Sequence, residues 1–232
     1  MKRYRPFIVL FAILILPPLV YLAMKLGGTQ KYRPIETIGE KMPNPDGSPD
    51  SVFRPIGRFT FRTQRGDSLT REMLKGKVLV INLFYTKCAE ACDALNAYVH
   101  KMLTVDFANN PEVVFLSFSV DPVHDSLPAL RAYSERVQAG DRWYFLAAEP
   151  ELMRKFLVEE LHYPSFDEGV TAIKGLYDRS LRLVDWNGNL RGQFYQGDSE
   201  PNMVTMAQHI VLLLKEMGDA ETGNHPGKQV GQ

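Results

Sequence analysis

Between residues 78 and 85 the chain reads V-L-V-I-N-L-F-Y, a near-continuous apolar run rich in β-branched and aromatic residues. Such a run marks a central strand covered on both faces. V-V-F-L-S-F-S-V (113–120) repeats the pattern, and W-Y-F-L (143–146) is a shorter version of it. R-F-T-F-R-T, from residue 58, instead alternates polar and apolar; it predicts a half-buried strand, with Gly66-Asp67 supplying a turn. Between the strands the apolar positions recur at helical spacing. Those at 95, 98, 99, 102, 103 and 105 predict a helix from Cys92 to Asp106. D-P-V-H-D-S-L-P (121–128) predicts the start of a second helix capped by Asp125 or Ser126, and a third is expected over about 150–161. L-R-L-V-D (181–185), Asn187-Gly188 and L-R-G-Q-F-Y (190–195) predict a hairpin with a tight turn, and M-V-T-M-A-Q-H-I-V-L-L-L-K-E-M (203–217) a closing amphipathic helix. Strand–helix alternation followed by a hairpin and a helix gives an α/β fold: a mixed sheet with helices on both faces.

The two ends depart from this pattern. Lys2, Arg3 and Arg5 precede an uncharged run from Phe7 to Met24, which Lys25 closes. At ~1.5 Å per residue the run is roughly 27 Å long, about the thickness of a bilayer core. No small-x-small cleavage site follows it and no nearby cysteine offers a lipidation site, so it reads as an uncleaved signal anchor, with a cleaved signal peptide as the rival. The positive charges before the span place residues 1–6 in the cytoplasm and the domain on the far side of the membrane. The expected organisation is therefore a transmembrane anchor over 7–24, a Pro-, Gly- and Asp-rich flexible linker over 25–55, a domain over 56–217 and a disordered tail over 218–232. The 27 basic and 27 acidic residues cancel, so there is no electrostatic footprint for nucleic acid.

Two cysteines in 232 residues are too few for a disulfide scaffold and read better as a site. Cys88 and Cys92 lie where the first buried strand runs into its helix, the end of an open α/β sheet at which ligands bind. A metal clamp, a redox dithiol and a small structural disulfide are all possible for such a pair. The last is the weakest, because so short a loop gains little from closure. Asp185 and Asp198 lie near turns and read as turn chemistry, while Phe84, Phe115, Phe118, Trp143 and Phe145 read as core.

Four segments taken in order resemble the Sco/SenC family of membrane-anchored, thioredoxin-fold copper proteins. They are G-K-V-L-V-I-N-L-F-Y-T-K-C-A-E-A-C (76–92), F-S-V-D-P-V-H-D-S (118–126), W-Y-F-L (143–146) and Y-D-R-S-L-R-L-V-D-W-N-G-N-L-R-G (177–192). The resemblance implies a thioredoxin-like mixed sheet and a role in maturing the copper centre of cytochrome c oxidase. It also implies copper as cargo, with an oxidase subunit or another periplasmic thiol or copper protein as partner. Cys88 and Cys92 carry over as metal ligands or redox dithiol, and Asp121 as a residue of the facing loop. The ligand histidine does not carry over: the family's D-H-S is Asp178-Arg179-Ser180 here, and Ala89 and Asp93 replace the prolines after the cysteines. Arginine cannot serve as a metal ligand. Two thiolates still suit Cu(I), which accepts soft, low-coordinate sites, so the resemblance implies Cu(I) binding and transfer through the dithiol. The alternative is a thiol–disulfide oxidoreductase without copper, in which the Arg179 charge favours the thiolate. His124, in the facing loop, is the candidate substitute ligand.

Overall fold

A computed structural model describes Phe11 and residues 13–22, 34–49, 51–88, 90–121, 124–164 and 179–222. The chain divides into two units, Met1–Pro34 with Pro226–Gln232, and Ile35–His225. In the first, residues 13–22 are helical and every described side chain is exposed, Leu14 and Leu16 among them. No helix among the described residues is long and apolar enough to cross a membrane, and the expected span 7–24 runs beyond them at both ends.

The second unit is built on β6 (Val78–Phe84), β7 (Val113–Ser119) and β8 (Trp143–Ala147). Before them come β1 (Thr37–Ile38), β2 (Lys41–Pro43), β3 (Ser51–Phe53), β4 (Thr60–Thr63) and β5 (Ser68–Thr70). After them come β9 (Ser180–Val184) and β10 (Leu190–Gln196). Among the described residues the main sheet has the order β1-β10-β9-β6-β7-β8-β4-β5, and β2 pairs β3 separately. The three central strands run parallel, and β9 and β4 flank them antiparallel. Among the described residues four α-helices complete the domain: α1 (Glu90–Lys101), α2 (Leu127–Arg136), α3 (Pro150–Lys155) and α4 (Glu200–Glu221). Wider π turns extend α1 over Met102–Asp106 and α3 over Phe156–Glu160. The mixed α/β architecture expected from the pattern is present, with the strand and hairpin positions within a residue or two of expectation. All five aromatics expected in the core are there, none more than 1% exposed.

Every residue of β6 and β7 is buried, because helices and loops cover both faces of the sheet. Val78, Val80 and Phe84 pack with α1, α2 and α4 on one face. Leu79, Ile81 and Leu83 pack on the other with Phe61, Phe118, Met153 and Phe156. The polar positions within these strands are paired rather than wasted. Ser117 Oγ donates to Asn82 Oδ1 at 2.7 Å and accepts the Trp143 indole N–H at 2.8 Å, linking β6, β7 and β8 through side chains. Gln64, just beyond β4, sends its amide to β8, donating to the Trp143 carbonyl and accepting from Phe145 N–H at 3.0 and 2.9 Å.

Two expectations are corrected. The segment 25–55 was expected to be a flexible linker, yet from Ile35 onward it belongs to the domain: β1 pairs β10, and β2 and β3 form a hairpin. The cause lies far along the chain. Buried Arg191 donates to the Ile35 carbonyl at 2.9 Å and to the Asp185 and Glu216 carboxylates at 2.9 and 2.7 Å, while Glu216 also accepts the Ile35 N–H at 3.4 Å. The guanidinium thus ties the entering strand to the hairpin turn and to α4. The tail expected to be disordered from 218 instead continues α4 as far as Glu221, and residues 223–232 lie outside the described set.

Two predictions follow from this packing. Ser117→Ala removes the group on which both Asn82 and Trp143 depend, leaving two buried polar partners unsatisfied; a loss of about 2 kcal/mol is expected in denaturant unfolding. His209, half-buried on α4, is hydrogen-bonded to the Tyr195 hydroxyl, and burial lowers its pKa from the ordinary 6.5. The unfolded chain therefore takes up the proton first as pH falls. Stability should be constant above about pH 6.5 and decline below it, and His209→Gln should flatten that decline in pH-dependent unfolding.

Candidate functional site

β6 and β7 pair residue for residue from Val78↔Val113 to Phe84↔Ser119, so they end side by side. Val120 N–H donates to the Phe84 carbonyl at 3.0 Å, carrying the ladder one step past the strands. β6 then leads into a turn closed by Cys88 N–H on the Tyr85 carbonyl at 3.0 Å, and α1 begins at Glu90. Cys92 is the third residue of that helix. Cys88 and Cys92 form a disulfide with their Cα atoms 5.7 Å apart, and each is 1% exposed. The sequence placed the pair at this strand end, and the structure joins them there.

The surrounding charges arrange themselves differently from expectation. β9 runs antiparallel to β6 with Ile81 opposite Arg182, and continuing that register sets Arg179 at the level of Phe84, at the cysteine end of the sheet. Its guanidinium, however, is paired with Asp198 at 3.1 Å in an exposed ion pair. The charge read as an activator of the thiolate is therefore shared with a carboxylate on the β10–α4 turn. Asp93, one residue after Cys92, lies 3.7 Å from Arg136 in another exposed pair. Lys87 is exposed. When reduced, Cys92 stands in the first turn of α1, where the helix dipole favours negative charge.

His124 and Asp121 come together, but with each other: the imidazole Nδ1 lies 2.8 Å from the Asp121 carboxylate on an exposed part of the loop. Asp178 lies outside the described residues. Among the described residues no group of three or more His, Cys, Asp or Glu side chains is placed to hold a metal ion. Among the described residues the soft donors at this strand end are the two sulfurs, which become available as ligands only once the disulfide is reduced to thiolates. Two soft donors fit Cu(I) rather than Cu(II).

Asp185 is more than a turn residue. It accepts the Asn187 and Asn189 N–H groups at 3.0 and 2.9 Å and also holds Arg191. The residue that local reading missed is Asp125. Expected as a possible helix cap, it turns inward and accepts from Thr86 N–H and Oγ1–H and from Ser119 Oγ–H. Ser126 occupies the N-cap position of α2 without a side-chain cap bond. The available signal was the pair of hydroxyl residues at the two strand ends, Thr86 and Ser119, facing one carboxylate.

Residues 49–211 match the family model described as SCO1/SenC. The SCO1 protein homolog of Bacillus subtilis (strain 168) is 27% identical over 157 residues, covering 66% of this chain and 79% of that protein. Among solved structures, BsSco, described as having a disulfide switch and as a member of the Sco family of cytochrome c oxidase assembly proteins, aligns with a TM-score of 0.58. Its identity is 23%, and the alignment covers 69% of this chain and 94% of that one. Arabidopsis thaliana ScoI with copper bound aligns with a TM-score of 0.54 at 17% identity, over 68% of this chain and 99% of that one. At these identities both structures support the fold, a thioredoxin-like mixed sheet of the Sco kind. The family match reaches from the entering β-hairpin into α4 and so takes in both cysteines and the loop facing them; the chain belongs to the SCO1/SenC family.

Proposed function

We propose that this protein serves cytochrome c oxidase assembly as a thiol–disulfide oxidoreductase working through Cys88 and Cys92. It is anchored in the inner membrane through residues 7–24, with its domain on the periplasmic side. The Cys88–Cys92 disulfide at the carboxyl end of β6 carries the reading. In the reduced protein, the thiolate of one cysteine attacks a disulfide sulfur of the target, forming a mixed disulfide and releasing one target thiolate. The second cysteine then attacks its neighbour in that bond. The target leaves as a dithiol, and the Cys88–Cys92 bond closes. A separate thiol reductant returns the pair to the dithiol, and the near-complete burial of both cysteines means that the loops around them must yield for either exchange.

The target class is the cysteine pair of a copper-centre subunit, a role supported by family membership and by the description of BsSco. Anchoring is supported by Lys2, Arg3 and Arg5 before an uncharged run and Lys25 after it. A second reading has the reduced pair carry Cu(I) as cargo between two thiolates. The soft donor set and the copper-bound Arabidopsis thaliana ScoI favour it.

Two experiments separate these readings. Reduced wild-type chain mixed with an oxidised copper-centre subunit should yield the reduced subunit. One of Cys88→Ser and Cys92→Ser should arrest at a trapped mixed disulfide, visible by mass spectrometry. Absence of both the product and the trapped species would sink the redox role. Cu(I) titration of the reduced chain against a competing chelator should show tight one-to-one binding only after Arg179→His; equally tight binding by the wild type would favour the cargo reading instead.

A further inference from the structure

The segment that carries the cysteines and the segment that faces them are joined through one side chain. Asp125 is 3% exposed, yet its carboxylate accepts three hydrogen bonds: from Thr86 N–H at 3.0 Å, Thr86 Oγ1–H at 2.5 Å and Ser119 Oγ–H at 2.5 Å. Its own N–H donates to the Asp121 carbonyl at 2.9 Å, which fixes the loop from which it reaches. Thr86 is the second residue of the turn closed by Cys88 N–H on the Tyr85 carbonyl. One carboxylate oxygen therefore holds both the backbone and the side chain of a residue two positions before Cys88. The other holds the end of β7. A buried carboxylate met by three donors is a strong, oriented anchor, since hydrogen bonds to a charged group exceed neutral ones.

We propose that Asp125 is a positioning residue for the Cys88–Cys92 pair: its grip on Thr86 sets the Tyr85–Cys88 turn in the conformation in which Cys88 meets Cys92. The proposal rests on the redox reading of the pair. In the dithiol form no bond holds Cys88 to Cys92, whereas the disulfide requires their Cα atoms to stay close, 5.7 Å apart here. An interaction that fixes the turn in that arrangement stabilises the disulfide form more than the dithiol. Coupling is reciprocal, so the disulfide strengthens the grip by as much as the grip strengthens the disulfide. Removing the grip makes the disulfide easier to reduce.

The test is to equilibrate the full chain with mixtures of reduced and oxidised glutathione and to read the dithiol fraction by thiol labelling. On oxidation the two chain thiols give up two electrons and two protons to one glutathione disulfide, which leaves as two glutathione molecules. Asp125→Ala should lower the oxidation equilibrium constant about tenfold, the scale of one hydrogen bond to a charged group. Thr86→Val, which keeps the shape and the N–H but loses the hydroxyl donor, should lower it in the same direction. Thr86→Ser should restore the wild-type value, and the double variant Thr86→Val/Asp125→Ala should shift it no further than Asp125→Ala alone. Asp125→Ala and Thr86→Val, but not Thr86→Ser, should also lose more unfolding stability in the oxidised form than in the reduced form. Equilibrium constants within about twofold of wild type, with equal stability losses in both redox forms, would show Asp125 to be merely structural and overturn the proposal. If Asp125→Ala does not fold, Thr86→Val and its serine rescue decide the matter alone. Because the measurement needs no target protein, a failure of the assembly role would appear only in target reduction, and a failure of this coupling only here.

Discussion

The parallel pairing of β6 with β7, buried on both faces along its whole length, is the constraint on which the rest of the domain depends. Covering both faces forces helices onto each side, and the parallel direction puts both carboxyl ends at one edge of the sheet. Within the strands no water is available to polar groups, so Asn82, Ser117 and Trp143 satisfy one another. Where the strands stop, their unpaired backbone emerges as two adjacent loops. One carries Cys88 and leads into the helix that holds Cys92, the other carries Asp121, His124 and Asp125, so the reactive pair and its anchor are neighbours in space although some forty positions separate them in sequence.

The parts of this arrangement that the sequence made legible are those set by local pattern. A strand buried on two faces tolerates few polar residues, and the runs at 78–85 and 113–120 show it. The hairpin was legible in Asn187-Gly188, where Gly188 adopts φ +94°, a backbone conformation that side chains resist. What escaped notice was non-local. Nothing near Ile35 announces that a guanidinium 156 positions later will take its carbonyl, so a stretch rich in Pro, Gly and Asp read as a tether. Gly218 read as the end of the last helix, yet the intrahelical bonds run past it, with its carbonyl accepting from Thr222 N–H at 3.1 Å.

The site shows the same division. The position of the cysteines and the substitution at Arg179 were visible at once, because both are matters of which residue occupies which slot. The partners of the charged groups were not. Gly197 N–H bonds the Arg179 carbonyl at 3.0 Å and so brings the start of β9 against the β10–α4 turn, which delivers Asp198 to the guanidinium. Asp125 is a residue type that caps helices and stands one place before the N-cap of α2. Only the register of β6 against β7 reveals that two hydroxyl residues wait behind it.

One small device has a bearing on how the protein behaves in company. β4 pairs β8 through only Arg62↔Ala147 and Thr63↔Leu146 before the chain turns away at Gly66, which would leave the first half of β8 with bare N–H and C=O groups. An unpaired strand edge is a template for a strand from another molecule. The Gln64 amide, using one of its N–H groups and its carbonyl oxygen, fills that gap at Trp143 and Phe145. A single side chain thus stands in for a missing length of strand and occupies backbone groups of β8 that a strand from another molecule would otherwise pair with.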